Sequence, residues 1–314
     1  MPIRRLGRSG LAVSAVGLGC NNFGMKLDLE QSRSVVHAAI DAGITFFDTS
    51  DSYGSSEDIL GELLVGKRDD LVIATKFGSS LKGANGPDWG ARASRRYIRK
   101  AVESSLRRLR TDWIDLYQLH FPDPDTPMVE TLEALTELVD EGKIRYLGSS
   151  NLAAWQVADA EWISQTRHLQ RFISAQNEYN LINRSAEKEL IPACEQFGIG
   201  LLPYFPLASG ILTGKYRRGE ELAADSRLAV WKMGAQLTEE KFVLVDRLLA
   251  FAQERDLTAV QVALGALLGQ PSVSSVIAGA TSVEQLNSNL TALDWVASPE
   301  DLAALSKALS GRSR

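Results

Sequence analysis

Apolar runs suited to buried strands recur along this chain at residues 13–18, 44–47, 71–75, 114–119, 144–147, 172–175, 199–202 and 273–277. Helical spacing fills the intervals: Ile98, Val102, Leu106 and Leu109 share one face, as do Met128, Leu132, Leu135 and Val139. Alternating strands and helices imply a parallel sheet with right-handed crossovers. Neither end of the series offers a polar edge strand, so the eight units fit a closed (β/α)8 barrel of the TIM type better than an open sheet.

Additions to that frame are legible at both ends. The segment IRRLGRSGLAV reads as an N-terminal β-hairpin turning at Arg8, Ser9 and Gly10. Helical patterns at 239–255 and 258–268 precede the eighth strand, and Ser298 with Pro299 opens an extra C-terminal helix as N-cap and first helical residue. No Pro/Ser/Gly-rich linker interrupts the 314 residues, so one domain over residues 1–314 is expected. The longest irregular segment, 205–236, follows the seventh strand and therefore lies over the barrel mouth, where long loops tend to carry function.

The net charge of -5, without a Lys/Arg block, argues against a nucleic-acid partner. No segment has the apolar length of a membrane span or signal peptide, so the expected location is cytoplasmic, without a membrane association. Cys20 and Cys194 have no metal-like spacing, so neither a disulfide framework nor a metal site is expected. Helix faces on a barrel exterior leave the oligomeric state open.

Asp48, Tyr53, Lys76 and His120 each sit at or just beyond an apolar run: ITFF before Asp48, LVIAT before Lys76, and WIDLYQL before His120, with Tyr53 in the turn after Asp48. In a parallel barrel such strand ends converge on one mouth. A phenol has an ordinary pKa near 10. A neighbouring ammonium stabilises the phenolate, and a carboxylate can hold that ammonium charged and in place. His120 can then orient a substrate oxygen. A tyrosine that protonates a carbonyl oxygen needs a hydride donor for the carbon, which implies a nicotinamide cofactor. Each residue alone also has a plainly structural reading, such as turn capping by Asp48 or a core imidazole at His120.

The segments GITFFDTSDSYGSSEDILGELL, VIATKFG, DLYQLHFPDP, GKIRYLGSSN, AQNEYNLI, PYFPLASGILTGKY and SVIAGATSVEQLNSNL together resemble the aldo-keto reductase superfamily, in order and over nearly the whole chain. The resemblance implies a barrel that binds its cofactor without a Rossmann motif. It makes Tyr53 the general acid, Lys76 and Asp48 the partners that lower its pKa, and His120 the residue that orients substrate. Asp48 also borders the cofactor. The resemblance further implies Ser150, Asn151 and Gln176 as ligands of the nicotinamide carboxamide and Tyr204 as the aromatic stacked on its ring. Phe205, Pro206, Leu207, Gly210, Leu212 and Lys215 resemble the loop over the pyrophosphate, and Gly19, Cys20 and Asn21 the end of the first strand beneath it.

At the eighth strand the chain departs from its relatives. Many members grip the 2′-phosphate of NADPH with a lysine and an arginine where this chain has Gly279 and Gln285, next to Thr281, while Asn289 matches the adenine-contacting asparagine. NADPH (NADP+) is the cofactor the resemblance implies, and NADH is the alternative that the missing cations leave open. Lys215, Arg217 or Arg218 are the candidates to compensate. The implied function is reduction of an aldehyde or ketone, a small-molecule carbonyl substrate. Phe23, Phe121, the Trp89 loop and Trp231 are its expected pocket walls. Two rivals remain at this level: a Schiff-base aldolase using Lys76 as nucleophile, and a non-catalytic nucleotide-sensing subunit.

Overall fold

A computed structural model describes residues 1–224 and 226–310. Asp225, inside the 205–236 segment, and residues 311–314, which the one-domain expectation takes in, lie outside the described residues. The parallel strands are β3 (Val16–Gly19), β4 (Phe46–Asp48), β5 (Val72–Phe77), β6 (Ile114–Leu119), β7 (Ile144–Ser150), β8 (Phe172–Gln176), β9 (Gly200–Leu201) and β10 (Val276–Gly279). They form an eight-stranded sheet in the order β10-β3-β4-β5-β6-β7-β8-β9. Its ends meet: the Leu201 amide donates to the Ser272 carbonyl at 2.8 Å, the Ser274 amide to Leu201 at 3.0 Å and the Ile277 amide to Pro203 at 3.1 Å. The fold is a (β/α)8 barrel.

One expected strand is two. Residues 13–18 divide at Ala15 because Val13 belongs to an antiparallel hairpin of β1 (Ile3–Arg5) and β2 (Ala12–Ser14), with Arg4 opposite Val13. The Ser14 hydroxyl donates to the Val16 carbonyl at 2.7 Å, bending the chain from hairpin into barrel. This hairpin closes the N-terminal end of the barrel. The Arg8 amide reaches the Gly198 carbonyl at 2.8 Å, and the Arg4 guanidinium donates to the carbonyls of Leu268 and Val273. Leu6, wholly buried, packs with Phe46, Ala74, Leu116, Leu202 and Ile277.

Helices α1 (Leu29–Asp41), α2 (Ser56–Leu63), α3 (Arg95–Leu109), α4 (Met128–Asp140), α5 (Ala154–Arg167) and α6 (Leu190–Phe197) pack outside the sheet. Within the long segment, α7 (Arg227–Val230) is a single turn; α8 (Glu239–Gln253) and α9 (Ala259–Leu268) follow it as the spacing predicts. After β10 come α10 (Val283–Leu290) and α11 (Pro299–Ser310), whose first turn has the Ser298 hydroxyl accepting from the Asp301 amide at 3.1 Å. No helix among the described residues is long and apolar enough to cross a membrane.

Candidate active site

Register gathers polar side chains at the C-terminal rim. Asp48 ends β4 beside Gly19, Lys76 in β5 pairs with Gln118 in β6, and Ser150 ends β7 beside Gln176. Lys76 is wholly buried; its Nζ donates to Asp48 Oδ2 at 2.7 Å and to the Thr49 carbonyl at 2.8 Å. Asp48 Oδ1 accepts from the side-chain amides of Gln118 at 3.1 Å and Gln176 at 2.8 Å. Gln118 went unnoticed in the sequence, although a primary amide within the apolar run WIDLYQL was its signal.

Tyr53 lies over this pair, with the Lys76 ammonium 5.0 Å from its ring centroid and the His120 ring edge-on at 5.8 Å. Burial pushes the phenol above its ordinary pKa. Lys76 pulls it down by charge and hydrogen bonding, the sense the sequence suggested, without outweighing burial, whereas the Asp48 charge raises it, against the expectation that both partners lower it. Burial also disfavours the Lys76 ammonium, yet Asp48 and Tyr53 outweigh it and raise the lysine's pKa, so Lys76 remains charged. His120 is driven down to about 3, first by burial and then by the Lys76 charge, so its imidazole is neutral at physiological pH. Its Nδ1 lies 3.2 Å from Ser50 Oγ and 2.9 Å from Ser79 Oγ.

Asp48, Tyr53, Ser79, His120 and Gln176 border a cavity of about 690 Å³, the size of a small-molecule site, with Lys76 buried behind them. Every expected cofactor residue lines it except Leu212. That leucine is wholly buried with Leu181, Leu248 and Phe251, because the short helical turn Ala208–Thr213 presents it to the core instead of the mouth. Two expected walls are likewise elsewhere: Phe23 is buried in the core, and Trp89 is exposed with the Arg96 guanidinium 4.2 Å over its ring. Phe121 and Trp231 do line the cavity.

The polar side chains expected at a nicotinamide carboxamide are linked to one another and to the rim backbone. Asn151, in a left-handed conformation at φ 60, donates to the His120 carbonyl at 2.9 Å and accepts from the Tyr204 hydroxyl at 2.8 Å. Gln176, with its amide nitrogen on Asp48, keeps a carbonyl oxygen with no protein partner among the described residues. Phe205, Ala208, Ser209 and Gly210 are left-handed, and the turns they make are closed by the Ala208 amide on the Phe205 carbonyl at 2.8 Å and the Gly210 amide on the Leu207 carbonyl at 2.9 Å.

Arg218 does not supply a phosphate cation, since Glu239 and Asp246 each hold it at 2.9 Å, and Arg217 does not line the cavity. Lys215 does, together with Arg227, which no local signal sets apart from the other basic residues of the long segment. Arg227 donates to the side-chain carbonyls of Asn21 and Asn22 at 3.1 and 3.2 Å and lies 5.4 and 5.0 Å from the rings of Phe205 and Trp231. No carboxylate pairs with it among the described residues. Gln285 Oε1 accepts from the Thr281 amide and hydroxyl, both at 2.9 Å, so its side chain serves the start of α10.

Comparison with known proteins agrees with this architecture. The model of the aldo/keto reductase family matches residues 15–310. A probable voltage-gated potassium channel subunit beta of Oryza sativa subsp. japonica is 37% identical over 308 residues, covering 94% of this chain and 92% of its own. An uncharacterized oxidoreductase, YrpG, of Bacillus subtilis (strain 168) is 34% identical over 98% of this chain and 95% of its own, and a probable aldo-keto reductase 1 of Glycine max 33% over 97% and 88%. A barrel with a charged lysine beneath a rim tyrosine, matched over nearly the whole chain by that family model, belongs to the aldo/keto reductase family.

Proposed function

We propose that this chain is a carbonyl reductase, one barrel domain over residues 1–314, that reduces an aldehyde or ketone with NADPH and uses Tyr53 as general acid. The observation that carries this reading is the buried Lys76–Asp48 pair beneath Tyr53, with neutral His120 beside it at the cavity. Nicotinamide, when bound, supplies the hydride for the carbonyl carbon. Tyr53 gives its proton to the carbonyl oxygen, and the Lys76 ammonium stabilises the phenolate left behind. His120, being neutral, donates a hydrogen bond to that oxygen from Nε2 and keeps it within reach of Tyr53. Asn151, Ser150 and Gln176 suit the carboxamide, and Tyr204 suits the ring face. Arg227 and Lys215 suit the phosphates, in place of the cations absent at Gly279 and Gln285.

The state of Lys76 supports this reading over a Schiff-base aldolase: a buried ammonium held by Asp48 and Thr49 is not a free amine nucleophile. Relatives named as probable voltage-gated potassium channel beta subunits favour the second reading, a non-catalytic nucleotide-sensing subunit. One substitution separates the two. Tyr53→Phe is expected to retain NADPH binding, read by cofactor fluorescence, and to lose about 10²–10⁴-fold in kcat over a carbonyl panel. Unchanged turnover would overturn the role of Tyr53, and absence of turnover in the unaltered protein would favour the subunit reading.

A further inference from the structure

Behind His120 lies a buried carboxylate that the chemistry above does not use. Asp51, at 7% exposure, has its Oδ1 3.3 Å from Ser50 Oγ, and the same hydroxyl lies 3.2 Å from His120 Nδ1. Asp51 Oδ2 is buried without a hydrogen-bond partner. The charged and titratable groups around Asp51 are already engaged or neutral. Glu57 on α2 takes the Arg108 guanidinium from α3 at 2.7 Å and the Thr75 hydroxyl from β5; Lys76 is paired with Asp48; Tyr97 on α3 and Tyr117 on β6 have phenols raised by burial.

We propose that Asp51 is a positioning residue that selects the tautomer of His120 through the Ser50 hydroxyl. A count of donors and lone pairs makes the chain directional. Ser50 Oγ has one proton and two lone pairs; the Ser52 amide, donating at 3.2 Å, occupies one pair, and the Ser52 hydroxyl at 2.9 Å, which donates or accepts, turns aside when Asp51 and His120 take the other two places. With Asp51 protonated, its O–H donates to Ser50, Ser50 donates to His120 Nδ1, and the ring proton stays on Nε2, facing substrate. With Asp51 ionised, Ser50 donates to the carboxylate and accepts from Nδ1–H, and Nε2 is left bare. Ser79, a hydroxyl that donates or accepts equally, follows either tautomer.

The switch point falls in a useful range. Burial, then the charge of Glu57, push the Asp51 carboxyl up to about 8, against the weaker pull of Arg108, Ser50 and Lys76. His120 stays neutral throughout, so its tautomer and not its charge is the variable. The consequence rests on the reading that His120 holds the carbonyl oxygen: reduction then has an alkaline limb belonging to Asp51.

The chain has three histidines, so the test is nitrogen NMR of the full-length protein labelled with ¹⁵N-histidine, with His120→Gln assigning the signal, from pH 6 to 10. His120 is expected to carry its proton on Nε2 below the midpoint and on Nδ1 above it. Asp51→Asn and, independently, Ser50→Ala are expected to abolish that change. A tautomer constant with pH in the unaltered protein, or a change that persists in either variant, overturns the proposal. Turnover on the same samples is expected to fall about tenfold per pH unit above the midpoint, and Asp51→Asn to flatten that limb. An NMR change without turnover at any pH would sink the reductase reading and leave the tautomer relay standing.

Discussion

Lys76 is a full charge held away from water, and its value to the fold is conditional on Asp48. Lys76→Met is expected to lower the unfolding free energy by about 3–5 kcal/mol, because it strands a buried carboxylate among Gln118, Gln176 and apolar neighbours. Adding Asp48→Asn is expected to restore part of it, as denaturant titration would show; a single-variant loss below about 1 kcal/mol would mean the pair hardly matters. At Gly279 the situation is the reverse. A Cβ there meets nothing nearer than 3.5 Å, so Gly279→Lys with Gln285→Arg is accommodated at the mouth. Two charge-assisted contacts at about 1.5–3 kcal/mol each would raise the NADPH over NADH affinity ratio at least about tenfold by fluorescence titration. An unchanged ratio would mean that Arg227 and Lys215 already satisfy the phosphate. The rim residues Asp48, Lys76 and His120 were legible because each follows an apolar run, and Tyr53 because it lies in the turn just after Asp48. Leu212 and Phe23 were not, since whether an apolar side chain lines a cavity or the core beside it is decided by the turn of the backbone, which no local pattern records.

At the scale of elements, the closest approach that matters is between α2 and α3. A Cβ on Gly61 would stand 2.1 Å from the Arg108 carbonyl oxygen, so only glycine lets the two helices meet there. Gly61→Ala is expected to cost about 1–3 kcal/mol by thermal melting and to loosen the Glu57–Arg108 ion pair between the same helices. No loss of stability would show that the helices separate without strain. The helices themselves were readable from spacing and caps: the Thr258 hydroxyl accepts from the Gln261 amide as the pattern at 258–268 requires. The break at Ala15 was not readable. Residues 13–18 read as one apolar run with a single serine, and what divides them is the distant hairpin partner of Val13 and the turn of the Ser14 hydroxyl onto Val16.

Across the whole molecule, the barrel is stoppered at its N-terminal end and open at the other. Leu6 is the stopper's apolar contact, and the Gly7 amide donates to Ser274 Oγ at 3.2 Å beside the seam where β9 meets β10. Leu6→Ala is expected to cost about 2–4 kcal/mol of stability, read by denaturant midpoint, while KM for carbonyl and cofactor stay unchanged. A raised KM would reveal that the stopper also shapes the far mouth. The barrel as a whole was legible because eight units recur, but the seam was not: β9 is two residues long and joins its neighbour through single hydrogen bonds, too little to leave a pattern.

Gly279 stands exposed at the edge of the opening, whereas Lys76 is sealed beneath it. On the proposed chemistry, a descendant of this chain could therefore change which nicotinamide cofactor it takes by surface substitutions, and inherit Tyr53 and the Lys76 ammonium untouched.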